Sequence, residues 1–425
     1  MKLKFLQTFD YLLLICVLVL CTMSVIFLYS AGMDSNGILT SSAYSRQLIW
    51  AGIGIAIMIF FALFDYRRIE RHALVAYIII CFVLLLTLLF TKARKGASSW
   101  IRIGSLGGQP SELGKIIFIL FFARYLKRSQ KDVSINRFIK ALCFFSIPTG
   151  LILLQPDLGT ASVYIPIFLF MCFVAGIPLR YILFFLFMGL FTVVLTVLPA
   201  WQSMILHKSI SLINILVSKK LLLLILFCSV IITIIGTLGN IFFKKQYYYW
   251  ITYVFALLSL SLFFSMPAAK VLKKYQMERL VIFLNPYSDP EGAGYNIIQS
   301  LTAIGSGGFW GQGFLKGIQS HIKGIPEQKT DFIFSIIAEE SGFVGCMILF
   351  AAFFIILVRI ISVIHSTTNN YGYYISSGIL AMFFFHFAVN IGMGMGVMPI
   401  TGIPLPFLSY GGSAMITNMA ARSEE

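Results

Sequence analysis

The chain has 425 residues, of which 59% are hydrophobic and only 11% are charged, and this composition excludes a soluble globular protein of this length. Its formal net charge is +16. The basic residues lie between apolar runs, so we attribute the charge to membrane topology and expect no nucleic-acid partner. An outer-membrane barrel is excluded as well, because the apolar runs are long and do not alternate.

The apolar runs predict an all-α, polytopic membrane protein with about twelve spans, organised as a single integral membrane domain over residues 1–425. A polar, glycine-rich segment, residues 265–331, precedes the third-last span. The predicted spans are residues 11–29, 48–64, 73–90, 110–125, 141–154, 161–175, 181–198, 221–243, 250–264, 332–358, 373–397 and 407–421.

The charges of the short loops predict how the spans are oriented. Basic loops at 65–72 and 126–140 alternate with polar ones, and basic loops of this kind are cytoplasmic. Both termini are then expected to be cytoplasmic. The chemically distinctive loops are expected to share the opposite, extracytoplasmic side; these are 30–45, 91–109, 155–160, 265–331 and 399–406.

Asp331 is the acid at the mouth of the predicted span 332–358. An acid in that position can cap the first turn of a helix and interact favourably with the helix dipole. It can equally serve as a general base at the edge of a low-dielectric region. Its position alone leaves both roles open.

Glu112 and Lys115 lie at the entrance of the span 110–125, three residues apart and therefore on one helical face. Ionisable groups inside a membrane are costly and often functional. The alternative is an ion pair that only neutralises charge. We favour a functional role, because Glu339 and Glu340 also enter a span from the same side.

Trp100 and Arg102 belong to the predicted outside loop 91–109, and Arg46 precedes the span 48–64. Outside cations suit a phosphate-bearing lipid head group. An interfacial tryptophan with snorkelling cations explains the same residues equally well. The glycine run at 306–314 lacks the spacing of a nucleotide loop, and no HExxH or GxSxG motif occurs, so no nucleotide or redox cofactor is expected.

Five blocks along the chain resemble the SEDS family (shape, elongation, division and sporulation proteins), in the same order and over nearly its whole length. The sequences of these blocks are closer to those of the elongation members than to those of the division members. The blocks are GASSWIRIGSLGGQPSELGK, QPDLGTASV, NPYSDPEGAGYNIIQSLTAIGSGGFWGQG, KTDFIFSIIAEESGFVG and GIPLPFLSYGGSA.

The resemblance implies a peptidoglycan glycosyltransferase in the bacterial cytoplasmic membrane, which polymerises lipid II on the outer face. It implies a class B penicillin-binding protein and other elongation-complex membrane proteins as partners. Asp331 matches the family's essential acid, so it would be the general base and could hold a divalent metal, Mg²⁺ or Mn²⁺. Substrate contacts are implied for Trp100, Arg102, Glu112, Lys115 and Arg46.

The chain departs from the family pattern of about ten spans, because residues 201–264 resemble an inserted helical pair. Two further functions stay open. A lipid II flippase would need polar groups along a path through the bilayer, whereas here they gather on one side. A non-catalytic scaffold for wall synthases is the third interpretation.

Overall fold

The structure is a computed structural model that describes residues 10–34, 36–62, 66–90, 101–103, 106–206, 210–292, 294–321 and 327–422. Its helices are α1 (Tyr11–Ser30), α2 (Ala43–Ala62), α3 (Tyr66–Phe90), α4 (Pro110–Arg128), α5 (Ser134–Leu154), α6 (Leu158–Val174), α7 (Leu179–Trp201), α8 (Ser211–Val217), α9 (Lys219–Phe243), α10 (Gln246–Val271), α11 (Lys274–Ile282), α12 (Tyr295–Gly307), α13 (Ile318–His321), α14 (Ile333–Ser366), α15 (Asn370–Gly394) and α16 (Gly412–Arg422). A small antiparallel hairpin, β1 (Ile101–Ile103) and β2 (Leu106–Gly108), precedes α4.

The prediction of an all-α polytopic fold is confirmed, and each predicted span corresponds to a helix. Within the described ranges, nine helices are long and apolar enough to cross a membrane, fewer than the twelve predicted. The difference has a simple cause. Helix α4 carries charged residues at both ends, α6 has 17 residues and α16 has 11.

The helices group into two compact units, although the sequence predicts one membrane domain. The first unit contains Met1–Gly176 and Tyr295–Glu425, and the second contains Ile177–Gly294. In the second unit α9 and α10 form an antiparallel pair with close contact, since a Cβ on Gly239 would lie 2.5 Å from the Tyr248 ring. Helix α9 lies within residues 201–264, and α10 begins within them and ends at Val271. That this pair is an insertion stays a prediction.

Helix α14 is interrupted at Gly342, whose φ of 62° and ψ of −158° are accessible essentially to glycine alone. The carbonyls that the break releases from Glu339 and Glu340 accept hydrogen bonds from the amides of Gln312 and Gly313, at 2.9 and 3.0 Å. The glycine-rich segment therefore supplies the main-chain partners that the broken helix needs, as irregular backbone in a membrane protein must.

Candidate active site

A buried cluster of Glu112, Lys115 and His386 forms the centre of the candidate site. Pro110 starts α4 and puts Glu112 in its first turn, so that Lys115 follows on the same face. The Lys115 Nζ lies 2.8 Å from Glu112 Oε2 and 3.1 Å from His386 Nε2 of helix α15. All three residues are at most 4% exposed. The ion pair given as the alternative in the sequence analysis therefore exists, and His386 is its third member.

The hydrogen bonds of His386 fix which ring nitrogen carries the proton. Its Nδ1 lies 2.7 Å from the main-chain oxygen of Met382, which can only accept a hydrogen bond. Nδ1 therefore donates, and Nε2 is left with a lone pair that accepts from the Lys115 ammonium. The imidazole is neutral in this arrangement.

A small pocket opens beside this cluster. Its lining also includes Gly402, which has a φ of 73°. A Cβ built on Gly402 would lie 3.5 Å from Asp331 Oδ2, so the carboxylate of Asp331 lies against a residue of the pocket wall. Gly402 thus lies between the Asp331 carboxylate and the pocket that Glu112 and Lys115 line. The pocket is lined by Glu112, Lys115, Thr160, Val163, His386, Gly402, Ile403 and Pro404.

Helix α14 begins at Ile333, and Phe332 is its N-cap residue. Asp331 therefore lies one residue before the N-cap position. The main-chain oxygen of Asp331 accepts a hydrogen bond of 2.9 Å from Asn390 Nδ2. The same nitrogen lies 2.8 Å from the main-chain oxygen of Ile403.

Asp157 links the start of helix α6, which contributes to the pocket, to the start of helix α4. It caps that helix by accepting from the Thr160 amide at 3.0 Å, and its other oxygen accepts from Gln109 Nε2 at 2.6 Å. Burial, the largest effect, raises the pKa of Asp157, and nearby Glu112 raises it further, while the Thr160 hydrogen bonds lower it. Gln109 and Thr160 thereby hold the start of α4 against the start of α6.

Glu339 and Glu340, which also enter a span, have partners of their own. Glu339 accepts from the amides of Gln319 and Ser320, at 2.7 and 3.1 Å, and Glu340 accepts from the Ser30 hydroxyl. Glu339 therefore holds the polar segment around α13 in place, Glu340 binds the end of α1, and neither belongs to the Glu112 cluster.

The remaining predicted substrate contacts are not brought to the pocket by the described side chains. Arg46 is exposed on α2, whereas its neighbour Gln47 is buried and binds Ser24 Oγ and the Ser409 oxygen, at 3.1 and 3.2 Å. Trp100 lies outside the described residues. The main chain of Arg102 pairs with Gly107 in the hairpin, and its side chain lies outside the description.

Sequence reasoning missed His386, Asn390 and Gly402. A signal for the first two was present, because polar side chains one helical turn apart in an apolar span are costly unless they have partners. Gly402 carried no such signal, since only the fold puts it next to Asp331.

Comparison with known proteins agrees with this architecture. The family model described as cell cycle protein, FtsW/RodA/SpoVE, matches residues 10–210 and 205–423. The peptidoglycan glycosyltransferase RodA of Treponema pallidum is 45% identical over 421 residues, which cover 99% of this chain and 97% of the relative. The peptidoglycan glycosyltransferase MrdB of Escherichia coli K12 is 32% identical, with 97% of this chain and 90% of that one covered.

A solved structure of a peptidoglycan synthase complex, concerned with the coordination of polymerization and crosslinking, contains a chain with the same fold. Its TM-score is 0.68 at 24% sequence identity, and the match covers 98% of this chain and 96% of the other. With the family model matching almost the whole chain, the protein belongs to the FtsW/RodA/SpoVE family of multi-pass membrane proteins.

Proposed function

We propose that this protein is a peptidoglycan glycosyltransferase of the cell elongation machinery, which polymerises lipid II into β-1,4-linked glycan strands. Relatives that match nearly the whole chain carry the name of this activity. The observation that carries the proposal is that the Asp331 carboxylate lies against Gly402, and Gly402 lines the same pocket as Glu112 and Lys115.

Asp331 and Lys115 have separate roles in the proposed reaction. The donor sugar leaves from an α-linked pyrophosphate and becomes β-linked, so one displacement with inversion suffices, and it needs a single base. Asp331 takes the proton of the acceptor 4-hydroxyl while that oxygen forms the bond to the donor C1. The bond between C1 and the pyrophosphate oxygen breaks, and the electron pair leaves with the pyrophosphate.

Lys115 is the residue that stabilises the departing pyrophosphate. An ammonium has three hydrogens, and Glu112 and His386 account for two of them. The third can bind a phosphate oxygen, and such charge stabilisation in a dry site contributes strongly to rate. Arg102, Trp100 and Arg46 stay in the proposal as contacts to the substrate.

A divalent cation, Mg²⁺ or Mn²⁺, is compatible with this site. No group of three or more potential metal-binding side chains occurs in the described residues. Mg²⁺, however, is commonly held by one or two carboxylates together with substrate phosphates, so Asp331 would hold it jointly with the pyrophosphate. When bound, the cation would neutralise charge on that leaving group.

We place the pocket on the extracytoplasmic side and both termini in the cytoplasm, because the basic short loops favour that orientation. The contacts between predicted outside loops support a common side. A Cβ on Gly159 would meet the Thr401 oxygen, and Gln328 Nε2 donates to the Ala31 oxygen at 3.1 Å. A class B penicillin-binding protein and elongation-complex membrane proteins are the proposed partners.

The test is the formation of glycan from lipid II by purified protein, alone and with its cognate penicillin-binding protein. Asp331→Asn should abolish polymer. Asp132→Asn is the matched control, since Asp132 forms a surface ion pair with Lys140 at 3.4 Å and should tolerate the change. Polymer from Asp331→Asn at the control rate would remove Asp331 from the mechanism. Transfer of lipid II across vesicles by a wild type that makes no polymer would instead identify a flippase.

A further inference from the structure

Helix α15 contains two buried polar side chains one turn apart, His386 and Asn390. They are 1% and 0% exposed in a helix that is otherwise long and apolar enough to cross a membrane. Uncompensated polar groups in such a helix are costly, so their partners indicate what they are for.

The partners of His386 lie in its own helix and in α4. The Met382 oxygen holds the ring by its Nδ1 hydrogen, and the Nε2 lone pair is thereby aimed at Lys115 Nζ. A side chain fixed in this way at one nitrogen sets the position of the group bound at the other. His386 therefore fixes the place of the ammonium.

The partners of Asn390 lie on two other segments of the chain. Its single amide nitrogen donates to the main-chain oxygens of Asp331 and Ile403, at 2.9 and 2.8 Å. Both acceptors are carbonyls, so the orientation of the amide group is determined. Ile403 follows Gly402 directly, so one side chain holds both the acid and the pocket wall against which its carboxylate lies.

We propose that His386 and Asn390 are positioning residues, which together set the distance between the cation and the acid of the site. His386 and Asn390 are four residues apart, which corresponds to about 6 Å along the helix axis, or roughly one turn. This inference rests on the proposed glycosyltransferase function. A merely structural role would lower the amount of folded protein and leave the activity of each folded molecule unchanged.

The experiment measures kcat and KM for lipid II polymerisation by purified wild type and variants, each normalised to folded protein. Asn390→Asp replaces both donated hydrogens with an acceptor that faces two carbonyls, and kcat should fall at least tenfold at unchanged KM. His386→Leu should have a similar effect. His386→Gln retains an amide that can accept from Lys115, and it should restore at least a third of the wild-type kcat.

Ser377→Ala is the control on the same helix, because Ser377 is fully buried but donates only to carbonyls of its own helix. If Asn390→Asp does not fold, Asn390→Gln takes its place, since it keeps the donors but displaces them by one methylene, and it should also lower kcat. Folded Asn390 and His386 variants with wild-type kcat would overturn the inference alone. A wild type without polymer, with or without its partner, would overturn the proposed function and the inference with it.

Discussion

The main-chain oxygen of Thr401 lies so close to Gly159 that a Cβ at Gly159 would be only 2.3 Å from it. Gly159 is in the first turn of α6, directly before the pocket residue Thr160. Thr401 directly precedes Gly402. The first turn of α6 thus determines how closely the loop that contains the pocket residue Gly402 can approach this helix.

Gly159→Ala should displace the loop 399–406 and reduce polymerisation more than tenfold. The clash is with backbone, so no side-chain rotation can relieve it, and overpacking of this kind costs about 1–3 kcal/mol. The measurements are the polymerisation rate and the thermal midpoint in detergent. Gly150→Ala in α5 is the control, because a Cβ there meets nothing within 4 Å. Equal activity of the two variants would show that the contact does not position the loop.

The buried Glu112–Lys115 pair predicts a particular pattern of stability and activity. Removing one partner leaves an uncompensated buried charge, so Glu112→Gln and Lys115→Met should each lose about 3–5 kcal/mol of stability. The double variant Glu112→Gln with Lys115→Met has no such charge and should regain most of that loss. It should nevertheless stay inactive, because the cation is missing.

Thermal midpoints and lipid II polymerisation of the three variants check this pattern. The exposed pair Lys140–Asp132, at 3.4 Å, provides the comparison, since breaking a surface pair costs about 0–1 kcal/mol. An active double variant would mean that the pair serves only to neutralise charge.

Gln47, and not Arg46, should determine how firmly α2 holds the loop before α16. Gln47→Leu removes the donor to Ser24 Oγ and to the Ser409 oxygen, and leaving a buried carbonyl unsatisfied costs about 1–3 kcal/mol. Arg46→Ala changes an exposed side chain and should leave the thermal midpoint unchanged. An Arg46 variant as unstable as the Gln47 variant would contradict this assignment. A loss of lipid II binding without loss of stability in Arg46→Ala would support its proposed substrate contact.

The second compact unit offers a test that is independent of the pocket. Gly236 packs against Thr252 and Gly239 against Tyr248, with Cβ positions 2.7 and 2.5 Å from side-chain atoms of α10. Gly239→Val should force α9 and α10 apart and lower the thermal midpoint. Gly189→Val in α7 meets nothing within 4 Å and serves as the control. Limited proteolysis near the 244–245 turn should accelerate only in the Gly239 variant.

Hydropathy predicts the helices well because the length of an apolar run decides whether a segment can cross a membrane. The predicted span 11–29 corresponds to Tyr11–Ser30, and helical spacing alone predicted that Glu112 and Lys115 share one helical face. Periodicity is local, however. It could not place Gly402 next to Asp331, and it could not separate the two compact units. His386 and Asn390 were visible as polar residues in an apolar run, but their partners depend on tertiary structure.

The break of α14 at Gly342 decides which part of that helix lipid could surround. An uninterrupted helix of its 34 residues would be about 51 Å long, well beyond the roughly 30 Å of bilayer hydrocarbon. Residues 333–340, which include Glu339 and Glu340, are all buried within the protein, and exposed apolar side chains first occur after the break. The segment next to Asp331 is therefore surrounded by protein and not by lipid. Changes in membrane thickness should affect the portion of α14 beyond Gly342 and leave the position of Asp331 unchanged.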